Sequence, residues 1–388
     1  MIQLSLGEAR RFLLYHHGLL GEARFLGPEG VMAFVRQAGC VQFDPVDVCG
    51  RSPELVFLAR VPDYHAGMLE ELLYQSRCLV DYFDKNLAIL PREDWPYFRR
   101  ERERYSADSR SFEQINQVRD KVLEKIRQDG PRNSSQLGLP EKVDWYWSKT
   151  TLARAVLEQM YFSGELVIHH KKGNIKTYDL AERCLPEELL SLPEPLPDEL
   201  DHQCFRVLRR VRAVGLMWNR ASDAWLGIPG FKADQRERAF DRLKADGRIL
   251  PVQVEGIKDT LWIAGEDAGT LDESLRITGS PPRCAFIAPL DSLIWDRKLV
   301  MALFHFRYTW EVYTPKDKRQ YGSYVLPILY GDAFIGRIEP VCDRRAGVLR
   351  VRGLWWEEGI EPGPAALETV NSALLRLAAF NGCSAETL

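Results

Sequence analysis

Two polar side chains, Gln42 and Asp44, flank Phe43 in the run CVQFDPVDV. The run alternates apolar and polar residues and is rich in β-branched and aromatic types, which predicts a half-buried strand. On a strand Gln42 and Asp44 face the same way, with their Cα atoms about 7 Å apart. Pro45 restricts Asp44 to extended backbone and has no N–H donor. Such an amide and carboxylate can orient and polarise one water, although periodicity alone favours a polar strand face at a domain edge.

The composition is that of an ordinary globular protein. Of 388 residues, 45% are hydrophobic and 28% are charged, and the formal net charge is -3. These values exclude disordered and low-complexity chains, and the length predicts about two to four domains. No apolar run approaches the ~20 residues of a membrane span, and we expect no signal peptide. The eight cysteines are scattered without a CxxC pair, which indicates reduced thiols and a cytoplasmic protein.

The common motifs for metal and nucleotide chemistry are absent from the sequence. It contains no HExxH, CxxC or GxGxxG, and GDAFIGR (331–337) lacks the lysine and hydroxyl residue of a P-loop. His169 and His170 are followed by two lysines, whose charges repel a cation. We therefore expect neither a metal nor a cofactor.

The order helix, turn, helix, basic hairpin occurs twice and is typical of a winged helix-turn-helix. The first copy contains INQVRDKVLEKIRQDGP, SKTTLARAVLEQMYFSG and a hairpin around Lys172-Gly173-Asn174. Aligning Gly164 with Gly247 brings the apolar residues of a second copy into register, which predicts an internal repeat. The N-terminal residues with the VQFDPV strand are a candidate third, degenerate copy. Residues 64–80 and 91–105 are predicted to be helical.

After residue 281 the sequence turns to short strands, and the predicted fold class is α+β. The runs CAFIAPLDSLIW, YTWEVYTP, YGSYVLPILYGDAFIGRIEPVCD and GVLRVRGLWWE predict several short antiparallel strands, which favour a small barrel or a curled sheet. The predicted segments are an N-terminal winged-helix-like unit with the Gln-Φ-Asp motif at 1–110, a second winged helix at 111–184, a Pro-rich linker at 185–200, a third winged helix at 201–270, and the barrel with a terminal helix at 281–388.

Basic residues on the predicted winged helices are candidates for contacts with DNA phosphates. They can equally be a solvated face, and many winged helices bind protein instead. The candidates are Lys149 and Arg154 on the long helix of the second unit, Lys171, Lys172 and Lys176 on its wing, and Lys232, Arg236, Arg238 and Lys258 in the third unit.

Two long runs resemble the winged-helix DNA glycosylases that include YcaQ, also called AlkX, and the azinomycin-resistance protein AlkZ. They are VQFDPVDVCGRSPELVFLARVPDY and CAFIAPLDSLIWDRKLVMALFHFRYTWEVYTPKDKRQYGSYVLPILYGDAFIGRI. The resemblance covers nearly the whole chain. It implies a fold of tandem winged helix-turn-helix units packed around a C-terminal antiparallel β-barrel. The family signature is Gln-Φ-Gln in the AlkZ branch and Gln-Φ-Asp in the YcaQ branch, so Gln42-Phe43-Asp44 places the chain with the YcaQ branch.

The resemblance implies an enzyme of base excision repair. The expected reaction is hydrolysis of the N-glycosidic bond of N7-alkylated guanine in double-stranded DNA, including the unhooking of interstrand crosslinks. Gln42 and Asp44 would be catalytic, and the hairpin that probes DNA would map to PKDKRQYG (315–322). There Lys316, Lys318 and Arg319 would contact DNA, with Tyr321 as a wedge. No lysine is placed for Schiff-base chemistry, so we expect a monofunctional enzyme, and we expect a monomer.

The expected chemistry is consistent with these residues. N7-alkylation makes guanine cationic and a good leaving group, so a general acid is not essential. A carboxylate at Asp44 can stabilise the positive sugar and act as a base towards water. Gln42 can hold that water through its carbonyl and amide groups.

Two alternative functions would not require the Gln42 and Asp44 side chains to be catalytic. One is a transcription regulator, although two unequal units on one chain do not form the usual symmetric dimer. The other is a protein-interaction scaffold. The net charge does not exclude DNA, because it averages acidic segments with the basic runs HHKKGNIK, RVLRRVR and KDKR. We expect these basic runs to form a local DNA-binding face.

Overall fold

The computed structural model describes residues 1–107, 110–146, 148–277 and 279–388. It divides the chain into two compact units. Unit 1 contains Met1–Leu69, Phe83–Ala88 and Asp198–Leu388, and unit 2 contains Glu70–Tyr82 and Ile89–Pro197. The predicted segment 111–184 therefore falls in unit 2, whereas the predicted segments 201–270 and 281–388 both fall in unit 1.

Helices and strands are mixed along the chain, which is a mixed α+β fold. The helices are α1 Leu6–His16, α2 Gly27–Ala38, α3 Ser52–Arg60, α4 Met68–Glu70, α5 Arg99–Ala107, α6 Phe112–Asp129, α7 Leu152–Phe162, α8 Ala181–Cys184, α9 Glu187–Ser191, α10 Glu199–Val214, α11 Ala233–Ala245, α12 Ala268–Arg276, α13 Arg297–Phe304 and α14 Pro364–Phe380. The strands are β1 Ile2–Leu4, β2 Val41–Gln42, β3 Leu79–Asp84, β4 Asn86–Pro91, β5 Lys142–Val143, β6 Thr150–Thr151, β7 Leu166–Lys172, β8 Ile175–Leu180, β9 Met217–Trp218, β10 Ile249–Val254, β11 Leu261–Ala264, β12 Cys284–Phe286, β13 Leu326–Tyr330, β14 Ala333–Asp343, β15 Val348–Trp356 and β16 Ser384–Ala385. None of the helices in the described ranges is long and apolar enough to cross a bilayer.

The N-terminal helices begin and end at the residues that local sequence chemistry favours. Ser5 caps α1 through a capping box, in which its hydroxyl accepts the Glu8 N–H and the Glu8 carboxylate accepts the Ser5 N–H. Helix α2 has proline in its first turn and stops at Gly39, whose φ of 71° suits glycine. Helix α2 therefore ends just before Cys40, and the Gln-Φ-Asp motif begins two residues later at Gln42.

A sheet of unit 1 joins the N-terminus to the predicted third winged helix. Its order is β1-β10-β11-β9, with β1 parallel to β10 and the other pairs antiparallel. Alternate residues of the hairpin between β10 and β11, such as Val252, Val254 and Leu261, are fully buried. Helices α10 and α11 precede this hairpin along the chain and bury their apolar positions.

The C-terminal sheet of unit 1 is an open, curled half-barrel. Its order is β12-β13-β14-β15-β16, and the pairs are antiparallel except for β15 and β16. Register shifts after Ile328 and after Glu339 mark bulges, which bend a strand and increase its twist. Within the described ranges β12 and β16 are outer strands, so of the two predicted forms, a small barrel or a curled sheet, the structure has the curled sheet.

Two of the predicted strand runs form little or no strand. CAFIAPLDSLIW forms only the short β12 and then a 3-10 turn at Ser292–Ile294. Asp291 caps this turn by accepting the Leu293 N–H, and its carboxylate pairs with buried Arg60 at 2.7 Å. YTWEVYTP forms no strand, and Trp310 within it packs edge-on against Tyr324.

The predicted repeat is visible in the order of elements. Helix α6, a 3-10 turn at Ser134–Gln136, α7 and the β7–β8 hairpin follow one another in unit 2. In unit 1 the same order is formed by α10, a 3-10 turn at Asp223–Trp225, α11 and the β10–β11 hairpin. Gly164 and Gly247 both follow the second helix with positive φ, at 82° and 66°. The second copy also contains β9, and the first contains β5 and β6.

A hairpin that the sequence interpretation missed connects β3 to β4. Helical structure does form over 68–75 and 92–105, within the ranges 64–80 and 91–105 that were predicted to be helical. Between them, Leu79–Asp84 and Asn86–Pro91 form strands of a sheet in the order β2-β4-β3. Two apolar runs on either side of a polar Asp-Lys-Asn sequence are a hairpin signal. Asn86 has a φ of 56°, a left-handed conformation that asparagine tolerates.

Asp84, at the end of β3, holds the arginines of α10 inside unit 1. Its carboxylate accepts hydrogen bonds from Arg210 at 2.6 Å, Arg206 at 3.0 Å and Arg209 at 3.0 Å. All four side chains are buried. RVLRRVR is therefore largely an internal structural element, and its expected place on a DNA-binding face is wrong for these three arginines.

The same arginines bind carbonyl oxygens from separate loops. Arg209 reaches Gly39 at 2.6 Å and Arg206 reaches Gly227 at 2.9 Å. A Cβ atom on Gly227 would lie 1.8 Å from the Asp84 carbonyl oxygen, so only glycine fits there. Burial alone raises the pKa of Asp84, but the charges of the arginines, with Arg210 foremost, hold the pKa well below its usual value.

Replacing Asp84 with asparagine should strongly destabilise unit 1. Asp84→Asn keeps the shape but leaves buried guanidinium groups without their counter-charge, which costs about 3–5 kcal/mol. Urea denaturation measures this loss as a lower free energy of unfolding. Asp272→Asn, on the exposed face of α12, is the matched control and should change stability by less than about 0.5 kcal/mol. Equal stability of the two variants would show that the cluster is not needed.

Candidate active site

Gln42 ends a strand, and Asp44 lies in the turn that follows it. Strand β2 contains only Val41 and Gln42, and the Phe43 N–H donates to the Leu87 carbonyl at 2.9 Å. The Asp44 carboxylate then accepts the Val46 N–H at 2.8 Å, a side-chain turn that spans Pro45. The prediction of one continuous strand with both side chains on one face is wrong, because this turn replaces the strand after Phe43.

The two motif side chains have different environments. Gln42 is buried, with 6% of its surface exposed, whereas Asp44 is half-buried. Burial raises the pKa of the Asp44 carboxyl, and the Val46 N–H opposes this effect only in part. A carboxylate with a raised pKa is a stronger base than one on an open surface. Asp44 therefore combines access to solvent with the basicity that water activation needs.

Tyr313 is a candidate site residue that sequence reasoning missed. It is 81% exposed, while Trp310 packs edge-on against it at 5.9 Å between ring centroids. Partial burial raises the pKa of Tyr313, and the charge of Asp44 raises it further. Nothing in the spacing of YTWEVYTP indicates this, because the segment reads as a strand rather than a loop.

Lys85 is the second missed residue, a lysine that contacts the motif although nothing in the sequence indicated one there. Its Nζ donates to Gln42 Oε1 at 3.1 Å, and only 4% of its surface is exposed. The ammonium also lies 5.0 Å from the centre of the Trp295 ring. Burial, followed by the charge of Arg210, lowers the pKa of Lys85 to about 8.

The predicted DNA-probing hairpin is a loop. PKDKRQYG forms a 3-10 turn at Lys316–Lys318 rather than paired strands. The Glu311 carboxylate closes the loop by accepting the N–H groups of Gln320 at 2.7 Å and Tyr321 at 2.9 Å. These backbone bonds to one side chain take the place of a strand ladder.

The predicted contacts on this loop fall into two kinds. Lys316 and Lys318 are exposed. Arg319 is half-buried, and its Nε donates to the Thr314 carbonyl at 2.8 Å. Tyr321 is also half-buried and packs on Trp355, and its hydroxyl accepts a hydrogen bond from Arg337 at 2.7 Å. In this structure Tyr321 is thus not free to act as a wedge, and Arg319 is already engaged.

The basic residues predicted to contact DNA in unit 2 differ in how exposed their side chains are. Lys149 is exposed but precedes α7 rather than lying on it, because Thr151 caps that helix. Arg154 is exposed and pairs with Glu158 at 2.9 Å. Of the three lysines predicted on the hairpin, Lys172 is exposed. The Lys171 side chain is buried against Asp81, and Lys176 is half-buried beside the ring of Tyr161.

The third predicted group lies on and around α11. Arg236 is half-buried, donates to Asn219 Oδ1 at 2.6 Å and lies over the Trp225 ring. Lys232, Arg238 and Lys258 are exposed. Across the described ranges, no cluster of three His, Cys, Asp or Glu side chains is arranged to hold a metal ion.

The chain is a DNA glycosylase by class, since the sequence pattern described as DNA glycosylase AlkZ-like matches residues 35–380. It belongs to the AlkZ-like DNA glycosylase family. Among solved structures, the chain is similar in fold to the DNA glycosylase AlkZ of Streptomyces sahachiroi, with 15% identity and a TM-score of 0.62 over 100% of both chains. Residues 42–44, Lys85 and Tyr313 lie within the matched range.

Lys316 and Lys318 should contribute electrostatically to DNA binding. Their combined change to alanine should weaken binding and reduce the slope of log K against log salt by about 0.9 for each lost phosphate contact. Fluorescence anisotropy with a duplex at several salt concentrations measures this slope. The paired change of Lys121 and Lys125 to alanine on exposed α6 removes the same charge and should leave the slope unchanged. An equal slope in wild type and the loop variant would show that this loop does not contact DNA phosphates.

Proposed function

We propose that the protein hydrolyses the N-glycosidic bond of N7-alkylated guanine in double-stranded DNA and unhooks interstrand crosslinks at this position. It acts as a monomeric, monofunctional enzyme of base excision repair in the cytoplasm, without a metal or cofactor. The observation that carries this proposal is the half-buried Asp44 carboxylate, whose pKa burial raises, two residues after buried Gln42.

The proposed reaction uses the charge that the lesion already carries. A new bond forms between a water oxygen and C1′ of the deoxyribose, while the bond from C1′ to N9 breaks. The electron pair passes to the cationic base, which leaves as neutral N7-alkylguanine. Asp44 stabilises the positive charge that develops on the sugar and takes the proton of the water. The raised pKa of Asp44 favours this proton transfer.

Surface exposure of the site favours crosslinked substrates. A base joined to the opposite strand cannot rotate freely into a closed pocket. Asp44 is half-buried and Tyr313 is 81% exposed, so neither requires a base to enter an enclosed cavity. We propose that this access allows the crosslinked base to remain in or near the helix during the reaction.

The repeated helix and hairpin units are proposed to be winged helices that bind the DNA backbone. In each, a helix is followed by a hairpin, which is the order that places cations along a groove. The exposed cations for this role are Lys149, Arg154, Lys172, Lys232 and Arg238. Contacts of this kind fix the position of the protein but carry little sequence information.

Asp44→Asn should nearly abolish base release. Loss of the base should lower the single-turnover rate on duplex DNA with one N7-methylguanine by about 100-fold or more. The duplex dissociation constant should remain within about twofold. Chromatography of the free base measures the rate, and anisotropy measures the affinity.

Asp47→Asn is the matched control for this change. Asp47 is a nearby exposed carboxylate that pairs with Arg344, and its loss should leave the rate nearly unchanged. Asp44→Gln creates the Gln-Φ-Gln signature of the AlkZ branch. Retained activity with altered substrate choice would indicate that the AlkZ and YcaQ branches share one mechanism. Full activity of Asp44→Asn would contradict the catalytic assignment.

Tyr313 should recognise the positive charge of the lesion. The face of an aromatic ring attracts a cation with about 0.5–2 kcal/mol, and N7-alkylguanine is cationic. Tyr313→Ala should therefore reduce the preference for N7-methylguanine DNA over undamaged DNA by about 2- to 30-fold. Tyr313→Phe is the control and should keep the preference. Equal selectivity of wild type and the alanine variant, measured by competition binding, would exclude this role.

A further inference from the structure

Lys85 is held in a fixed position between two strands. It lies in the short turn between β3, which ends at Asp84, and β4, which begins at Asn86. The arginines of α10 clamp Asp84, and Gly227 packs tightly against the Asp84 carbonyl. The Lys85 backbone has little freedom in this turn. Its side chain reaches Gln42 Oε1 at 3.1 Å, with both residues buried.

This contact fixes which end of the Gln42 amide faces Lys85. The oxygen and nitrogen of a glutamine side chain are otherwise assigned from their hydrogen-bond partners. A protonated lysine is only a donor, so the atom that faces it must be the carbonyl oxygen. The Gln42 NH2 group therefore points away from Lys85. In the described part of the chain, no protein group accepts a hydrogen bond from it.

We propose that Lys85 is a positioning residue that locks the Gln42 amide with its NH2 group towards the reacting water. Gln42 then acts as a donor to the water oxygen, which turns the hydrogens of the water towards Asp44. This differs from the expectation that Gln42 holds water through both its carbonyl and its amide. The inference rests on the proposed function, because it assigns a role within that reaction.

The position of Lys85 favours this role over that of a nucleophile. A Schiff base requires the lysine nitrogen to attack C1′ of the sugar with a free electron pair. The Lys85 amine is 4% exposed and is held between Gln42 and the Trp295 ring. Lys85 therefore acts on the reaction through its hydrogen bond to Gln42 and does not itself contact the sugar.

The charge of Lys85 adds a pH dependence to this geometry. Charged and titratable groups from several elements surround its ammonium. They are Arg210 on α10, Arg297 on α13, Asp223 in the 3-10 turn and Cys40 before β2. Asp84 adjoins Lys85 in the chain. Burial and the two arginines lower the pKa of Lys85 to about 8, against the opposing effects of Cys40 and Asp223. The ammonium is charged below this pH. As the pH rises through about 8, the charge is lost and the bond to Gln42 weakens.

A double-mutant cycle tests whether Lys85 acts through Gln42. The variants are Lys85→Met, Gln42→Ala and both together, assayed by single-turnover release of N7-methylguanine from a duplex. We expect Lys85→Met to lower the rate by about 10- to 100-fold, the size of effect that misplacement of a catalytic group produces. In the Gln42→Ala background the same change should have less than a twofold effect. Independent, multiplicative losses, or full activity of Lys85→Met, would overturn the proposal.

Gln42→Glu tests the donor assignment without altering Lys85. A glutamate keeps an oxygen against Lys85 and forms an ion pair there, but it presents an oxygen instead of NH2 to the water. The variant should melt at the wild-type temperature or above and lose about 10- to 100-fold in rate. Retained activity would overturn the donor role, even if Lys85→Met fails to fold.

The pH profile and covalent trapping separate the remaining roles. Between pH 6 and 9, after correction for spontaneous base loss, the wild-type rate should fall on the alkaline side near pH 8. This limb should be absent in Gln42→Ala, and its persistence there would contradict the proposal.

Borohydride trapping of Lys85 on DNA would also overturn the proposal, because it would show that Lys85 is a nucleophile. Absence of base release by the wild type would instead overturn the proposed function, and this inference with it.

Discussion

One carboxylate in the interior of unit 1 binds three guanidinium groups, and the candidate active site depends on it. Asp84 lies directly before Lys85, so the arginines of α10 that fix Asp84 also fix the residue that contacts Gln42. Arg209 extends the same network to Gly39, next to Cys40 at the entry to β2. Burial of four charged groups is unfavourable unless they are paired and hydrogen-bonded. The cluster therefore holds one geometry, and this geometry places the amide of Gln42.

The Gln-Φ-Asp motif could be predicted from the sequence, whereas the residues that support it could not. Gln42-Phe43-Asp44 is a local pattern, and family resemblance gave it an expected chemical role. Lys85 and Tyr313 are 43 and 271 positions from Gln42, and no periodicity connects such residues. A basic run such as RVLRRVR is ordinarily read as a solvated face. Three of its arginines are inside because Asp84, distant in sequence, supplies the counter-charge.

Fold prediction succeeded where short-range chemistry decides the structure. The capping box at Ser5, the stop of α2 at Gly39 and the repeat marked by Gly164 and Gly247 follow from local backbone preferences. It failed where side chains compete with strand pairing. The Asp44 carboxylate replaces a strand with a turn, Asp291 caps a 3-10 turn, and Glu311 binds the backbone of the loop that was expected to be a hairpin. Acidic side chains that accept backbone N–H groups explain each of these differences.

The long sequence separation between Asp84 and its arginines has a consequence for the order of events during synthesis. The partners are 122 to 126 residues apart, and contacts over such distances form late because closing the intervening chain costs entropy. A ribosome-bound chain that ends before α10 contains the whole Gln-Φ-Asp motif but lacks the charges that fix its geometry. The motif therefore emerges from the ribosome well before α10, which supplies the arginines that fix its geometry.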